Sequence, residues 1–325
     1  MTEKSKLQTT LDKLNKDYGK GTIIMGNEKP EVIDVISTGS LGLNSVLGVG
    51  GLPCGRIVEF IGPFSSGKTS LALHTIAEAQ LLGKKAAFID MEHAISLEYA
   101  KALGVNTEEL LLCQPDYGEQ ALDIVKQLCE TGEVAIIVID SVAALVPKSE
   151  VDGNVGDSSI GKQARMMSQA LRMITPIAEK NNVLVIFLNQ IRMKVGVLFG
   201  SPETGCGGES LPFYASVRLD IRKSVLSENG EPYGNKTKVK VLKNKVAPPL
   251  KICEFDIIYG QGIDKDGEAL ELAIDFDIIN KSGSWFSYGD AKIGQGIDKV
   301  KAFLQDNPEL KEEIKQKVVD KIQQK

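Results

Sequence analysis

Histidine is nearly absent from this chain: His74 and His93 are the only two in 325 residues. That leaves no material for a histidine-built metal cluster. The five cysteines, Cys54, Cys113, Cys129, Cys206 and Cys253, include no C-x-x-C pair and are odd in number. They are expected to be reduced thiols of a cytoplasmic protein rather than a disulfide framework. No stretch approaches the roughly 18 apolar residues that a membrane span needs. Residues 1–6 are charged and lead into no apolar segment, so no secretory signal is expected. Internal repeats, low-complexity tracts and an acidic tail are missing as well. Global basicity is also lacking, with a net charge of -5 and a pI near 5.4. This last absence excludes little, because phosphate binding depends on where Lys and Arg sit.

What is present is the material of a soluble globular protein, 42% hydrophobic and 25% charged, long enough to bury a core without staples. Leu7, Leu11, Leu14 and Tyr18 recur at helical spacing, which predicts a helix over 3–18, stopped by Gly19 and Gly21. A short strand is expected at 22–25. The single apolar stripe of that helix must pack on its own core or on a neighbouring subunit. From about residue 30, near-continuous apolar runs at 57–61, 86–89, 134–139 and 183–188 alternate with helical stretches. Such runs suit a parallel sheet covered on both faces, built from βαβ units. Segments 216–221 and 237–241 alternate polar with apolar and fit an antiparallel extension with one wetter face. After about residue 265, glycines and short segments lead to a charged helix at 309–324. The chain therefore divides into a helix-strand arm (1–30), an α/β core (31–264) and a small α+β domain (265–325).

Gly62-Pro63-Phe64-Ser65-Ser66-Gly67-Lys68-Thr69 matches the phosphate-binding loop pattern G-x-x-x-x-G-K-[ST]. A strand (56–61) runs in and an amphipathic helix (68–82, beginning Lys68-Thr69-Ser70) runs out. That arrangement closes backbone N–H groups around phosphate oxygens at a helix N-terminus. Lys68 would neutralise the outer phosphates and Thr69 would offer its hydroxyl to Mg²⁺. Asp140 ends the most apolar strand and suits the Mg²⁺ side of such a site; capping the next helix is its competing role. Glu92 follows the strand at 86–89, where strand ends converge on a ligand crevice, and could deprotonate the attacking water. Asp90 competes for that role. Gln190 ends the fourth apolar strand, where a neutral amide could sense the terminal phosphate.

Residues 236–251 hold six lysines and no carboxylate. Three readings compete there: a DNA phosphate footprint, cations offered to a neighbour's nucleotide, or a solvated face. Residues 191–210 read as a long loop with Arg192, Met193, Lys194 and the glycines Gly205, Gly207 and Gly208, which suits wrapping a nucleic-acid backbone. Residues 152–161, from Asp152 through Gly153 to Gly161 before a helix carrying Arg165, form the other loop candidate.

Together with residues 37–41, 50–53, 88–94, 163–170, 189–194, 213–220 and 243–245, these motifs resemble the bacterial RecA recombinases over nearly the whole chain. The resemblance implies a P-loop ATPase core of RecA type, with a mostly parallel twisted sheet flanked by helices. It implies a DNA-dependent ATPase that forms helical filaments on single-stranded DNA, with ATP and Mg²⁺ between subunits. Homologous pairing and strand exchange with double-stranded DNA follow, and the filament promotes self-cleavage of an SOS repressor of the LexA type. Residue by residue, it implies Glu92 as catalytic base and Gln190 as the switch between terminal phosphate and DNA. Lys243 and Lys245 reach the neighbour's ATP, and Tyr99 stacks on adenine. Residues 152–161 and 191–206 become the DNA loops, with Ile160 and Val195 as wedges between bases. Phe213 and the N-terminal helix lie at the subunit interface.

The chain departs from the family's usual pattern at Phe64 (usually acidic), Met91 (usually small), Ser96 (usually Asp), Gly205-Cys206 (usually Thr) and Pro212 (usually Lys). Other functions for the same motifs are a ring helicase or clock-type ATPase, a small-molecule P-loop kinase, or a DNA-binding module that binds ATP without cleaving it. The presence of Lys68, Thr69, Glu92 and Asp140 together argues against the last.

Overall fold

The protein is described by a computed structural model, which covers residues 5–19, 23, 33–154, 161–193 and 203–323. It forms two units, Met1–Ile33 and Asp34–Lys325. In the first, helix α1 (Lys6–Tyr18) begins where the Ser5 hydroxyl accepts a hydrogen bond from the Gln8 amide at 3.2 Å, an N-cap. No residue of α1 is buried, and Leu7 is 67% exposed. The strand expected at 22–25 lies outside the described residues except for Ile23.

In the second unit, β1 (Val35–Ile36) and β2 (Leu52–Pro53) pair antiparallel around α2 (Leu41–Leu47). Then come β3 (Ile57–Gly62), α3 (Lys68–Leu81), β4 (Lys85–Asp90), α4 (Leu97–Ala102), β5 (Leu110–Cys113), α5 (Gly118–Thr131) and β6 (Val134–Asp140). They are followed by α6 (Lys148–Val151), α7 (Lys162–Lys180), β7 (Leu184–Met193), β8 (Glu203–Gly205) and α8 (Ser210–Tyr214). The long strands β9 (Val217–Glu228), β10 (Glu231–Asn244) and β11 (Ile252–Ile258) lead through β12 (Gly262–Ile263) into the C-terminal part. That part holds α9 (Lys265–Asp275), β13 (Asn280–Ser282), β14 (Trp285–Tyr288), β15 (Ala291–Gln295), α10 (Ile297–Asp306) and α11 (Pro308–Gln323).

The main sheet runs β12-β11-β10-β9-β3-β7-β6-β4-β5. From β9 to β5 every pairing is parallel, whereas β10, β11 and β12 extend it antiparallel. Successive strand residues enter two separate cores. Val58, Phe60, Ala86, Phe88, Ile136, Val138, Leu184 and Ile186 face the side of α3. Ile57, Ala87, Ile89, Ile137, Ile139, Val185 and Phe187 face α5 and α7. Continuous apolar runs are the sequence signature of strands buried on both faces. The C-terminal part adds a three-stranded antiparallel sheet and its own core, including Leu270, Phe286, Ile293, Val300 and Val318.

Two expectations need revision. Strand β7 extends past its apolar run because β8 pairs with its end, Ile191↔Gly205, Arg192↔Thr204 and Met193↔Glu203. Among the described residues of 191–210, therefore, 191–193 and 203–205 are paired strand and Ser210 begins helix α8, so these parts are not loop. On β10, Lys238 pairs across the ladder with Glu254 of β11 at 3.0 Å, and Lys236 lies 3.8 Å from Asp256. These two lysines have carboxylate partners across the ladder, so the lysine run is less bare of acidic neighbours than its sequence shows.

Candidate nucleotide site and nucleic-acid interface

The phosphate loop leaves β3 at Gly62 and enters α3 at Lys68. A Cβ at Gly62 would lie 2.2 Å from the Ile221 carbonyl, and Gly67 sits at φ +95 beside Ile257. Glycine is required at both by close approach and by backbone geometry. Lys68 is 8% exposed. Its ammonium donates to the carbonyls of Gly62 at 3.1 Å and Pro63 at 2.7 Å, with Ser66 Oγ at 3.5 Å. Burial lowers its pKa, partly opposed by Asp140 and Glu92. Phe64, at the loop's tip, is 80% exposed.

Thr69 donates its hydroxyl to Asp140 Oδ2 at 2.8 Å. Burial pushes the Asp140 carboxyl up to about 6; the Thr69 bond opposes that, and Glu92 and Asp90 add repulsion. A cation beside Asp140 and the Thr69 hydroxyl would relieve this strain, and both are hard oxygen donors. Among the described residues no three His, Cys, Asp or Glu side chains could hold a metal by themselves. A Mg²⁺ there would complete its shell with phosphate and water, its usual habit at nucleotide sites.

Sequence reasoning left Glu92 and Asp90 as rival bases, and their surroundings differ. Asp90 is 2% exposed. It accepts from the amides of Ala94 at 3.2 Å and Ile95 at 3.3 Å and from Gln114 Nε2 at 3.0 Å. It is the clamp of the 91–95 turn. Glu92 is exposed. Its Oε1 accepts from the Ser141 hydroxyl at 2.5 Å and from Gln190 Nε2 at 3.1 Å. Register explains the meeting, since Asp90 at the end of β4 lies opposite Asp140 on β6, which lies opposite Leu188 on β7, two residues before Gln190; Gln190 itself lies opposite Gly62 on β3. Arg192 reaches Gln190 Oε1 at 3.5 Å.

On the other side of the phosphate loop, Ser70 Oγ and the Tyr99 hydroxyl lie 2.8 Å apart. Ser96, one of the departures, caps α4 by accepting from the Tyr99 amide at 3.1 Å. A cleft of about 230 Å³ is lined by residues 65–70 and Tyr99, with Asn235, Ile257 and Tyr259 opposite. Those last three were not singled out in the sequence. Tyr259 donates its hydroxyl to Asn235 Oδ1 at 3.0 Å. An aromatic one residue past a strand end carries no pattern that would have marked it.

Lys243 donates to the carbonyls of Pro212 at 2.8 Å and Phe213 at 2.9 Å, beside Phe213, which is 73% exposed. Burial lowers the Lys243 pKa, with Lys245 and Arg218 adding repulsion. Lys245 is exposed. Of the expected DNA contacts, Arg165, Arg192 and Met193 are exposed, as are Gly153 and Gly161. Gly207 is buried, where a Cβ would meet Val142 at 2.7 Å, and one at Gly208 would meet Ala164 at 2.7 Å. These two glycines let the returning arm pack closely. Ile160, Lys194 and Val195 lie outside the described residues. Cys206 is half-buried against the core on the α7 side.

The model of the RecA N-terminal domain matches residues 5–264, and that of the RecA C-terminal domain matches 267–323. A Protein RecA of Cytophaga hutchinsonii is 57% identical over 320 residues, covering 98% of this chain and 90% of that protein. Protein RecA of Campylobacter jejuni is 55% identical over 315 residues, covering 96% and 92%. A crystal structure of the RadB recombinase superposes with a TM-score of 0.53 at 26% identity, covering 70% of this chain and 98% of the other. With both family models matched in order and relatives more than half identical over nearly the full length, this chain belongs to the RecA family, the DNA-dependent ATPases that pair and exchange homologous strands.

Proposed function

We propose that the chain binds ATP between successive subunits of a head-to-tail filament on single-stranded DNA, with Glu92 as base and Gln190 as reporter of the terminal phosphate. The observation that carries this is the contact between Gln190 Nε2 and Glu92 Oε1 at 3.1 Å, beside the phosphate loop. Glu92 has an accepting carboxylate aimed across the ends of β4, β6 and β7, where it takes a proton from water attacking the outermost phosphorus. Lys68 exchanges the Gly62 and Pro63 carbonyls for phosphate oxygens and holds the charge that develops during transfer. Gln190 is neutral, so its amide can pass from the Glu92 carboxylate to a phosphate oxygen without adding repulsion. Asp140 and Thr69 would hold Mg²⁺, which supplies charge neutralisation of the phosphates.

The cleft of about 230 Å³ is smaller than a closed small-molecule site, which favours completion by a second subunit. Lys243 and Lys245 are the cations proposed to complete it in trans, with Phe213 beside them on the same surface. Exposed Leu7 and half-buried Leu11 and Leu14 of α1 are the residues proposed to dock on the next subunit; an interface of this non-closing kind builds a filament. Tyr99 stacks on the base, with Tyr259 across the cleft. Arg165, Arg192, Met193 and Lys194 contact the DNA, with Gly153, Gly161, Gly207 and Gly208 shaping the arms and Ile160 and Val195 wedging between bases. The filament pairs its strand with double-stranded DNA in the cytoplasm and promotes self-cleavage of a LexA-type repressor. The direct test is ATP turnover with and without single-stranded DNA, with electron micrographs of the same mixture. DNA-stimulated turnover on helical filaments is expected. Turnover indifferent to DNA, or closed rings, would overturn the reading.

A further inference from the structure

Asn189, immediately before Gln190, has no role in the chemistry above, yet all of its hydrogen-bonding capacity is engaged and it is fully buried. Its Oδ1 accepts from the amide of Gln190 at 2.9 Å and from the amide of Cys206 at 3.1 Å. Its Nδ2 donates to Glu59 Oε1 at 2.8 Å and to the Cys206 carbonyl at 3.2 Å. One side chain thus ties the end of β7 to the segment returning after β8. The fit is close, since a Cβ at Gly205 would meet Asn189 Nδ2 at 2.6 Å. Glu59, in the middle of β3, is itself fully buried, and its second oxygen accepts from Arg218 Nε on β9 at 2.5 Å. Arg218 is in turn the register partner of Lys243 on β10.

We propose that Asn189 is a positioning residue, the hub of a buried relay Cys206–Asn189–Glu59–Arg218 that makes the placement of Gln190 depend on the DNA-binding arm and carries that dependence toward Lys243. The inference rests on the roles given above to Gln190 and the β7–β8 arm. A single acceptor atom serves two backbone amides. If Cys206 moves, Asn189 must follow or leave a buried donor unmet, and Gln190 then loses its own support. Glu59 cannot follow freely, because its charge is buried and paired with Arg218. The relay therefore favours discrete arrangements over continuous flexing, which is what transmission between two sites requires. Because the relay links two binding events, the dependence must run both ways.

The test uses the full chain and three variants. Asn189→Asp places a second carboxylate against Glu59 and removes the donor between them. Glu59→Gln/Asn189→Asp reverses the polarity of that hydrogen bond and restores the cluster's charge. Gly205→Ala crowds Asn189 without altering its chemistry. ATP turnover is read with and without single-stranded DNA, and DNA affinity with and without a non-hydrolysable ATP analogue. Asn189→Asp and Gly205→Ala are expected to cut stimulation by DNA about tenfold. The analogue's tightening of DNA binding should fall by a comparable factor, with nucleotide affinity within about threefold of the parent. The double variant is expected to recover at least half of the stimulation. Should Asn189→Asp fail to fold, Gly205→Ala decides. Full stimulation in a folded variant would overturn the proposal. So would losses that track melting temperature and lower nucleotide affinity, DNA affinity and turnover together. Absence of stimulation in the parent chain would instead sink the reading of the site on which the relay rests.

Discussion

Replacing Glu92 by Gln separates chemistry from structure more cleanly than any other substitution at this site. The amide keeps an oxygen where Glu92 Oε1 accepts from Ser141 at 2.5 Å and Gln190 at 3.1 Å. Glu92 is exposed, so no buried charge is stranded. Fold, nucleotide binding and DNA binding should persist while the proton acceptor is lost. General-base catalysis contributes about 10²–10⁴ in rate, equivalent to about 2.7–5.4 kcal/mol of transition-state stabilisation. Single-turnover hydrolysis on single-stranded DNA should slow by that factor, and filaments should last longer on DNA with ATP. Asp90→Asn is the control. An amide there turns at least one of the acceptors facing Ala94, Ile95 and Gln114 into a donor opposed to a donor. About 1–3 kcal/mol of stability is lost for each buried group left unmet, with the chemical step intact in the folded fraction. A Glu92→Gln rate within tenfold of the parent, with a folded Asp90→Asn chain that hydrolyses nothing, would refute the assignment and move the base to Asp90.

Two further outcomes follow from the same geometry. Lys68→Ala should abolish turnover, and mixing it with a Lys243→Ala/Lys245→Ala chain should restore part of it, since some interfaces then pair an intact phosphate loop with intact lysines; no recovery in verified mixed filaments would remove the trans role. Glu268, 5% exposed, accepts from Ser40 Oγ at 2.5 Å and from the amides of Leu41 at 3.1 Å and Gly42 at 3.0 Å, and burial raises its carboxyl to about 7. A carboxyl raised on folding contributes stability that is full below its unfolded value of about 4.5 and lost as pH rises through about 7. On the order of 3 kcal/mol should therefore disappear from denaturant-unfolding stability between those pH values, and a Glu268→Leu chain should show less of that slope; an unchanged slope would show that another group carries it.

The nucleotide half of this protein is legible in its sequence because it is local. The phosphate loop is eight contiguous residues, and continuous apolar runs give the strands that flank it. Glu92, Asp140 and Gln190 are each found at the end of such a run, where ligand crevices form. What stays hidden depends on register between distant strands. The pairing of Lys238 with Glu254, and of Glu59 with Arg218, is fixed by which residues fall opposite one another, and nothing near either residue announces it. Tyr259 and Asn235 face Tyr99 for the same reason. The partial burial of Cys206 against a core built from other segments is likewise unannounced by the glycines beside it.

Strand order has a further consequence, for the order of assembly. In the sheet β7 lies between β3 and β6, although it follows both in the chain. Until β7 inserts, β3 and β6 have no strand to join them, and the phosphate loop and Asp140 stand on separate fragments. The insertion that closes this gap also delivers Gln190 opposite Gly62. Contacts between such distant segments form slowly, because loop closure precedes any gain from pairing. An incompletely folded chain therefore lacks Gln190 beside the phosphate loop and the framework that joins that loop to Asp140, both at once.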